Sequence, residues 1–306
     1  MARLRGFSLL FVIGTATLAI RALLDSEFRN STLLYLLVPF AVSIAIHLLV
    51  PRPDPGTSIV RGYLRHLRDA TIVMLATSAL LFEGFICVLF FMPIYYAIVT
   101  LGFLFSWLAD GRGSDDDRDS AAAYALPALV LLLTMEGLFD MTTVPRYGEA
   151  THVAVVEGSV DELKANMARP IAFPAERHWL LSIFPLPVRV EAGTLAAGDV
   201  HRLHFVYKRW FFANIHEGDM AIRIEEVGAD RIRTRIVDNR SYLANYLKID
   251  GTEVRFRALG DGRTRVSLTV KHHRLLDPAW YFGPMQQLAA EQSAKYLIDT
   301  IIARRG

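Results

Sequence analysis

The chain of 306 residues has a single cysteine, Cys87, and it falls inside an apolar stretch. An intrachain disulfide and a cysteine-based zinc site are therefore excluded, and cysteine usage says nothing of the redox compartment. Lysine is missing before Lys164. Up to Pro145 the charge comes from 10 arginines against 12 acids, a balance of −2, and these sit almost entirely between long apolar runs. After Pro145, 23 Lys+Arg stand against 19 acids, a balance of +4, interleaved as in a water-soluble domain. Neither half is basic enough to argue for nucleic acid. There is no Gly-x-Ser-x-Gly nucleophile elbow either.

What is present in the first half is apolar sequence. A bilayer core about 30 Å thick takes roughly 20 residues of helix, and four runs approach or exceed that: Phe7 to Leu24, Thr32 to Val50, Ala70 to Leu108 and Ala121 to Phe139. The third is too long for one crossing. Met92-Pro93 is the expected break, because proline opens helices and disfavours helix in the residue before it. Five spans follow, at about 7–24, 32–50, 70–91, 93–108 and 121–139, within a transmembrane bundle over 1–144. Four spans is the alternative, if the third run is a single kinked helix.

Arg3 and Arg5 precede the first span, and Arg52, Arg61, Arg65 and Arg68 fill the connection after the second. The positive-inside rule then puts the N-terminus in the cytoplasm and, with five spans, the C-terminal half outside it. A basic start without a small-x-small cleavage site reads as an uncleaved helix. Two carboxylates stand out within the runs, Glu83 near mid-span and Glu136 a turn from the end of the last run; pairing with a polar group of a neighbouring helix is the expectation for both.

The second half, 145–306, alternates with period two. Strands are expected at Glu149 to Glu157, Pro187 to Thr194, Val200 to Lys208, Gly218 to Val227, Asp230 to Asn239, Thr252 to Leu259 and Arg263 to His272. Ser159-Val160-Asp161-Glu162 is a capping box for a short helix, and Gly260-Asp261-Gly262 marks a hairpin. Asp277-Pro278 opens a long helix to about Arg304, with Leu288, Gln292, Tyr296 and Ile301 near one stripe.

A strand, short helices, a six-stranded antiparallel meander and a long final helix, with the phrases GDGRTRVSLTV and LDPAWYF at the last hairpin and the last helix, resemble the START-like (SRPBCC, polyketide cyclase/dehydrase) superfamily of helix-grip proteins over about Glu149 to Arg304. The resemblance implies an α+β fold, a seven-stranded antiparallel sheet wrapped round the long helix, with a cavity between them for a hydrophobic ligand. The membrane half is no part of that pattern.

Aromatic residues fall where such a cavity is lined or gated: Trp179, Phe184, Phe205, Trp210, Tyr242, Tyr246, Trp280 and Tyr281. The same residues also read as plain core. His201 with His204, and His272 with His273, point to opposite faces of a strand, so no metal site is expected. Nor is any cofactor. His216, Asp238 and Tyr242 are weak candidates for acid/base work near strand ends, and an enzyme is the minority reading. Arg233, Arg235, Arg255 and Arg257 belong to a basic outer face, which reads either as a solvated surface laced with cross-strand partners such as Glu225 and Glu253 or as a contact with anionic headgroups. Binding or transfer of a lipid or other apolar molecule at a membrane is the leading expectation, a cyclase-like enzyme and a ligandless interaction module the alternatives. The expected partners are membrane lipids and that molecule.

Overall fold

The computed structural model describes residues 2–24, 32–50, 58–80, 85–110, 127–136, 140–174, 181, 185, 187–191, 193–210 and 213–304. They form two compact units: Met1–Val144 with Leu276–Tyr281, and Pro145–Leu275 with Phe282–Gly306.

The first unit is helical: α1 (Ala2–Leu24), α2 (Val38–Leu49) after a π-helical turn at Leu33–Leu37, α3 (Ile59–Leu80), α4 (Phe85–Asp110) and a short α5 over 127–133. Two expectations are corrected here. Pro93 does not break the third run; it lies inside the continuous α4. Arg61, Arg65 and Arg68 are not in a connection but on α3, which begins eleven residues before the expected span. The Phe90 carbonyl, in the turn that precedes Pro93, accepts a bond from Tyr281 Oη at 2.6 Å. Among the described residues one helical stretch, Val88–Trp107, is long and apolar enough to cross a membrane, and Phe11–Ile20 and Tyr35–Leu49 are shorter apolar helices.

Small polar residues are buried among the apolar ones in these helices, and large apolar residues are exposed. Ser8, Thr15, Thr32, Ser43, His66, Ser106 and Thr134 are buried, while Leu9, Ile13, Ile20, Ile72, Leu75, Leu104, Leu131 and Leu132 are exposed. At the centre Leu36, Phe40, Ile44, Ile94, Ile98 and Phe105 form an apolar cluster. There α2 and α4 approach so closely that a Cβ on Gly102 would lie 2.5 Å from Ser43 Cβ.

In the second unit one antiparallel sheet runs β1-β8-β7-β6-β5-β4-β3-β2. Its strands are β1 (Tyr147–Glu157), β2 (Ile171–Ala172), β3 (Pro187–Glu191), β4 (Val200–Trp210), β5 (Ala213–Val227), β6 (Arg231–Asn239), β7 (Leu247–Ala258) and β8 (Arg263–Arg274). The expected seven strands become eight, because a two-residue strand in the proline-rich stretch pairs with β3. α6 (Val160–Met167) follows β1, its capping box complete in both directions between Ser159 and Glu162. α7 (Ala279–Leu297), continued by a π-helical turn at Ile298–Ile302, closes the chain. Register shifts in β5 and β7 bend the sheet, as bulges do. In the β7–β8 hairpin Gly260 and Gly262 both take positive φ, which a side chain would strain.

Candidate functional site

The inner side of the sheet is set by alternation. On β8 Val266, Leu268, Val270, His272 and Arg274 are all buried, and on β4 Leu203, Phe205 and Tyr207 are. The helical residues that meet this face recur every four positions: Ala290, Ala294, Ile298 and Ile302 are buried, the last three packing with Val254, Phe256, Val266 and Leu268. Of the expected stripe Tyr296 and Ile301 do pack on residues of the sheet, whereas Leu288 is 48% exposed. A second cluster joins Phe173, Val190, Leu203, Phe205 and Met220 to Tyr296, Leu297 and Ile301.

Towards the N-terminal half of α7 the interior changes character. Tyr207 stacks on Tyr242 at 4.7 Å between ring centroids, and Tyr242 lies 5.5 Å from Tyr246 and 5.5 Å from His216. Tyr246 Oη donates to Tyr242 Oη at 3.1 Å. His216 Nε2 is 3.2 Å from the Arg240 carbonyl; a carbonyl only accepts, so Nε2 carries the proton and Nδ1 is the acceptor. Gly218 makes room for this arrangement, since a Cβ there would sit 2.1 Å from the Arg240 oxygen.

From α7, Gln286 Nε2 donates to the Tyr246 carbonyl at 3.0 Å and Gln287 Nε2 to the Glu149 carbonyl at 3.0 Å. The bond to a carbonyl fixes which end of the Gln286 amide is nitrogen. Its Oε1 is buried with no partner among the described residues. Nδ1 of His272, a residue only 4% exposed, is likewise without one. His272 pairs with Gly148 on one side and Ile249 on the other, and its ring lies so close over Gly148 that a Cβ there would be 3.0 Å from Nε2. Burial holds this imidazole below its ordinary value, against the opposing effect of a hydrogen bond to the Val270 backbone.

The predicted lining residues divide. Phe205, Tyr242 and Tyr246 belong to this interior, and Trp210 is the last residue of β4. Trp179, Phe184 and Glu83 lie outside the described residues. Trp280, 57% exposed, and Tyr281, which bonds to Phe90, belong to the first unit; Phe282, buried, is the first residue of α7 in the second. Of the acid/base candidates, His216 and Tyr242 come together, whereas Asp238 faces solvent and pairs with Arg240 at 3.0 Å. The adjacent histidines of β8 do take opposite faces, His273 pairing with Asp250 at 2.8 Å.

On the outer face Arg235 meets Glu225 at 2.5 Å, Arg255 meets Glu253 at 2.7 Å, and Arg233 lies 3.8 Å from Glu226. Arg257 is exposed opposite Arg265. The Arg235 and Arg233 pairs join β6 to β5, whereas Arg255 and Glu253 are neighbours on one face of β7. The Arg255 and Lys271 contacts hold Glu253 below the usual carboxylate range, burial opposing them.

Two polar arrangements in the first unit escaped the sequence reading, which looked there only for charge. Ser43 Oγ donates to the Val99 carbonyl at 2.8 Å and lies 2.7 Å from His66 Nε2; its one proton being used, His66 must donate. Tyr63 with Thr100, Thr71 with Tyr96, and Tyr95 with the Ala70 carbonyl extend a polar seam between α3 and α4. Glu136 Oε1 accepts the Ala279 N–H at 2.7 Å in the first turn of α7, where a carboxylate is favoured by the helix dipole.

No family model matches the chain, and no curated protein does. Solved structures similar to its C-terminal half are START-type and related helix-grip proteins. A START superfamily protein from Mycobacterium smegmatis is 13% identical with a TM-score of 0.35, over 51% of this chain and 95% of that one. Norcoclaurine synthase from Thalictrum flavum, solved with dopamine and hydroxybenzaldehyde, is 11% identical with a TM-score of 0.34, over 51% and 85%. The major latex-like protein 151 from Panax ginseng is 13% identical with a TM-score of 0.29, over 49% and 98%.

Proposed function

We propose that the second unit binds a lipid or other apolar small molecule between its sheet and the N-terminal half of α7, and that the N-terminal helices hold it at a membrane. The observation that carries the binding reading is the contrast along α7. Its C-terminal end and the π-helical turn after it are packed on the sheet through Ala294, Ile298 and Ile302, while in its N-terminal half Gln286 donates to the Tyr246 carbonyl and keeps a buried Oε1 with no partner among the described residues. An apolar interior with a few convergent polar groups is the usual make-up of a small-molecule site.

Membrane attachment is supported by the outward apolar and inward polar residues of the helices, since lipid rewards exposed leucine and isoleucine and confines polar side chains to helix contacts. Five spans with a cytoplasmic N-terminus and an extracytoplasmic second unit remain the reading that the arginines favour. Protease treatment of sealed, oriented vesicles tests it: protection of the C-terminal end on the cytoplasmic side agrees, and cleavage there overturns it. For the binding reading, native mass spectrometry of the full chain released from detergent should show an apolar molecule bound in equimolar amount. Absence of any such species, with no lipid raising the melting temperature, overturns it.

A further inference from the structure

The geometry points to the chemistry of the ligand's polar end: resting on the binding reading above, Gln286 and His272 form a subsite for a neutral, hydroxyl-bearing head, and the ligand is an apolar alcohol rather than a fatty acid, a phosphate ester or a plain hydrocarbon. Buried polar side-chain atoms in native proteins nearly always have a partner, and each exception asks for an explanation. Two exceptions occur on this face, Gln286 Oε1 and His272 Nδ1. The hydrogen bonds of α7 tie one turn of the helix to the strands on either side of His272. Gln287 is fixed to the Glu149 carbonyl, the residue next to the Gly148 over which His272 lies, and Gln286 to Tyr246, just before the β7 strand that flanks His272 on its other side.

The donor set decides the class. With its nitrogen committed to Tyr246, Gln286 offers only an acceptor and requires a donor from the ligand. His272 Nδ1 donates or accepts according to tautomer, and a hydroxyl satisfies either demand because it carries one proton and two lone pairs. A carboxylate or phosphate oxygen brings no proton to Gln286 and would sit as an unpaired charge in an apolar interior. Arg274, next along the same inward row, is buried and has interactions of its own, and the hexadecanoate arm of the test below asks whether an anion reaches it. An ester also lacks the donor.

The test uses the full chain in detergent and competition against radiolabelled 1-hexadecanol by unlabelled hexadecanol, methyl hexadecanoate and hexadecanoate at pH 8. Hexadecanol should compete at least about tenfold better than either other compound, the size of one hydrogen bond or more. Gln286→Leu should bring alcohol and ester within about twofold of each other, and His272→Phe should reduce the preference in the same direction. Equal competition by ester or carboxylate overturns the head assignment and leaves the apolar-ligand reading standing; so does a preference that survives both variants, which would mean that water alone satisfies the two atoms. Failure of any labelled alcohol to bind at saturating concentration overturns the underlying reading instead. Circular dichroism and melting of each variant establish folding, and should Gln286→Leu not fold, His272→Phe carries the test.

Discussion

The two units treat buried polar groups in opposite ways. In the helices Ser43, His66, Tyr63, Thr71 and Tyr95 are buried or half-buried and each has its partner across a helix contact. In the second unit the packed end of α7 is apolar, and the other end leaves Gln286 Oε1 and His272 Nδ1 without one. A side chain that completes its bonds inside the protein fastens elements together. One that does not is available to something else. The first arrangement is that of a closed scaffold, the second that of a site.

The largest effect should come from the packed end. Ile298, fully buried between α7 and the sheet, leaves a cavity when cut to alanine; Ile298→Ala should cost about 2–5 kcal/mol in urea unfolding. Next comes the close approach of α2 and α4. Gly102→Ala should destabilise by about 1–3 kcal/mol through overpacking, since a Cβ there would meet Ser43 Cβ at 2.5 Å and Ser43 Oγ at 2.6 Å.

The comparison itself is sharpened by a matched pair. Ser43→Ala strands the His66 donor and the Val99 carbonyl, and should cost about 1–3 kcal/mol. Gln286→Leu removes an atom that has no partner along with one bond to Tyr246, and should cost less than about 1 kcal/mol without ligand. Equal losses in denaturant titrations would erase the distinction between scaffold and site.

The smallest effects are those of pH. Glu253 is held below the usual carboxylate value, so its contribution is present above that value and is lost as pH falls through its folded value; Glu253→Gln should flatten the acid limb of a melting-temperature profile. His272 is also depressed. As pH falls through about 6.5 the unfolded chain takes up a proton that the folded chain refuses, and stability declines. His272→Phe should shrink the decline between pH 7.5 and 5.5.

Much of the second unit was legible in sequence because strand alternation, the Ser159 to Glu162 box and the Gly260-Asp261-Gly262 turn are local signals that the fold respected. The site was less so. Position near strand ends marks Tyr242 and His216 as candidates, but their contact depends on β5 and the turn after β6 meeting across Gly218. His272 was weighed only as one of an adjacent pair, although its place in the row Val266, Leu268, Val270 already marked it as inward.

Sequence alone determined the division of the chain near residue 145, the apolar character of the first part and the strand-then-helix order of the second, because these follow from composition and period. Tertiary structure alone decided that Pro93 lies within α4, that Ala290 and Ala294 rather than Leu288 are buried, that Trp280 is exposed, and which polar atoms are paired. Hydrophobicity ranks residues by how strongly they avoid water. Which of them reach the interior depends on how closely two elements approach, and small residues, which carry little hydrophobic signal, set that distance.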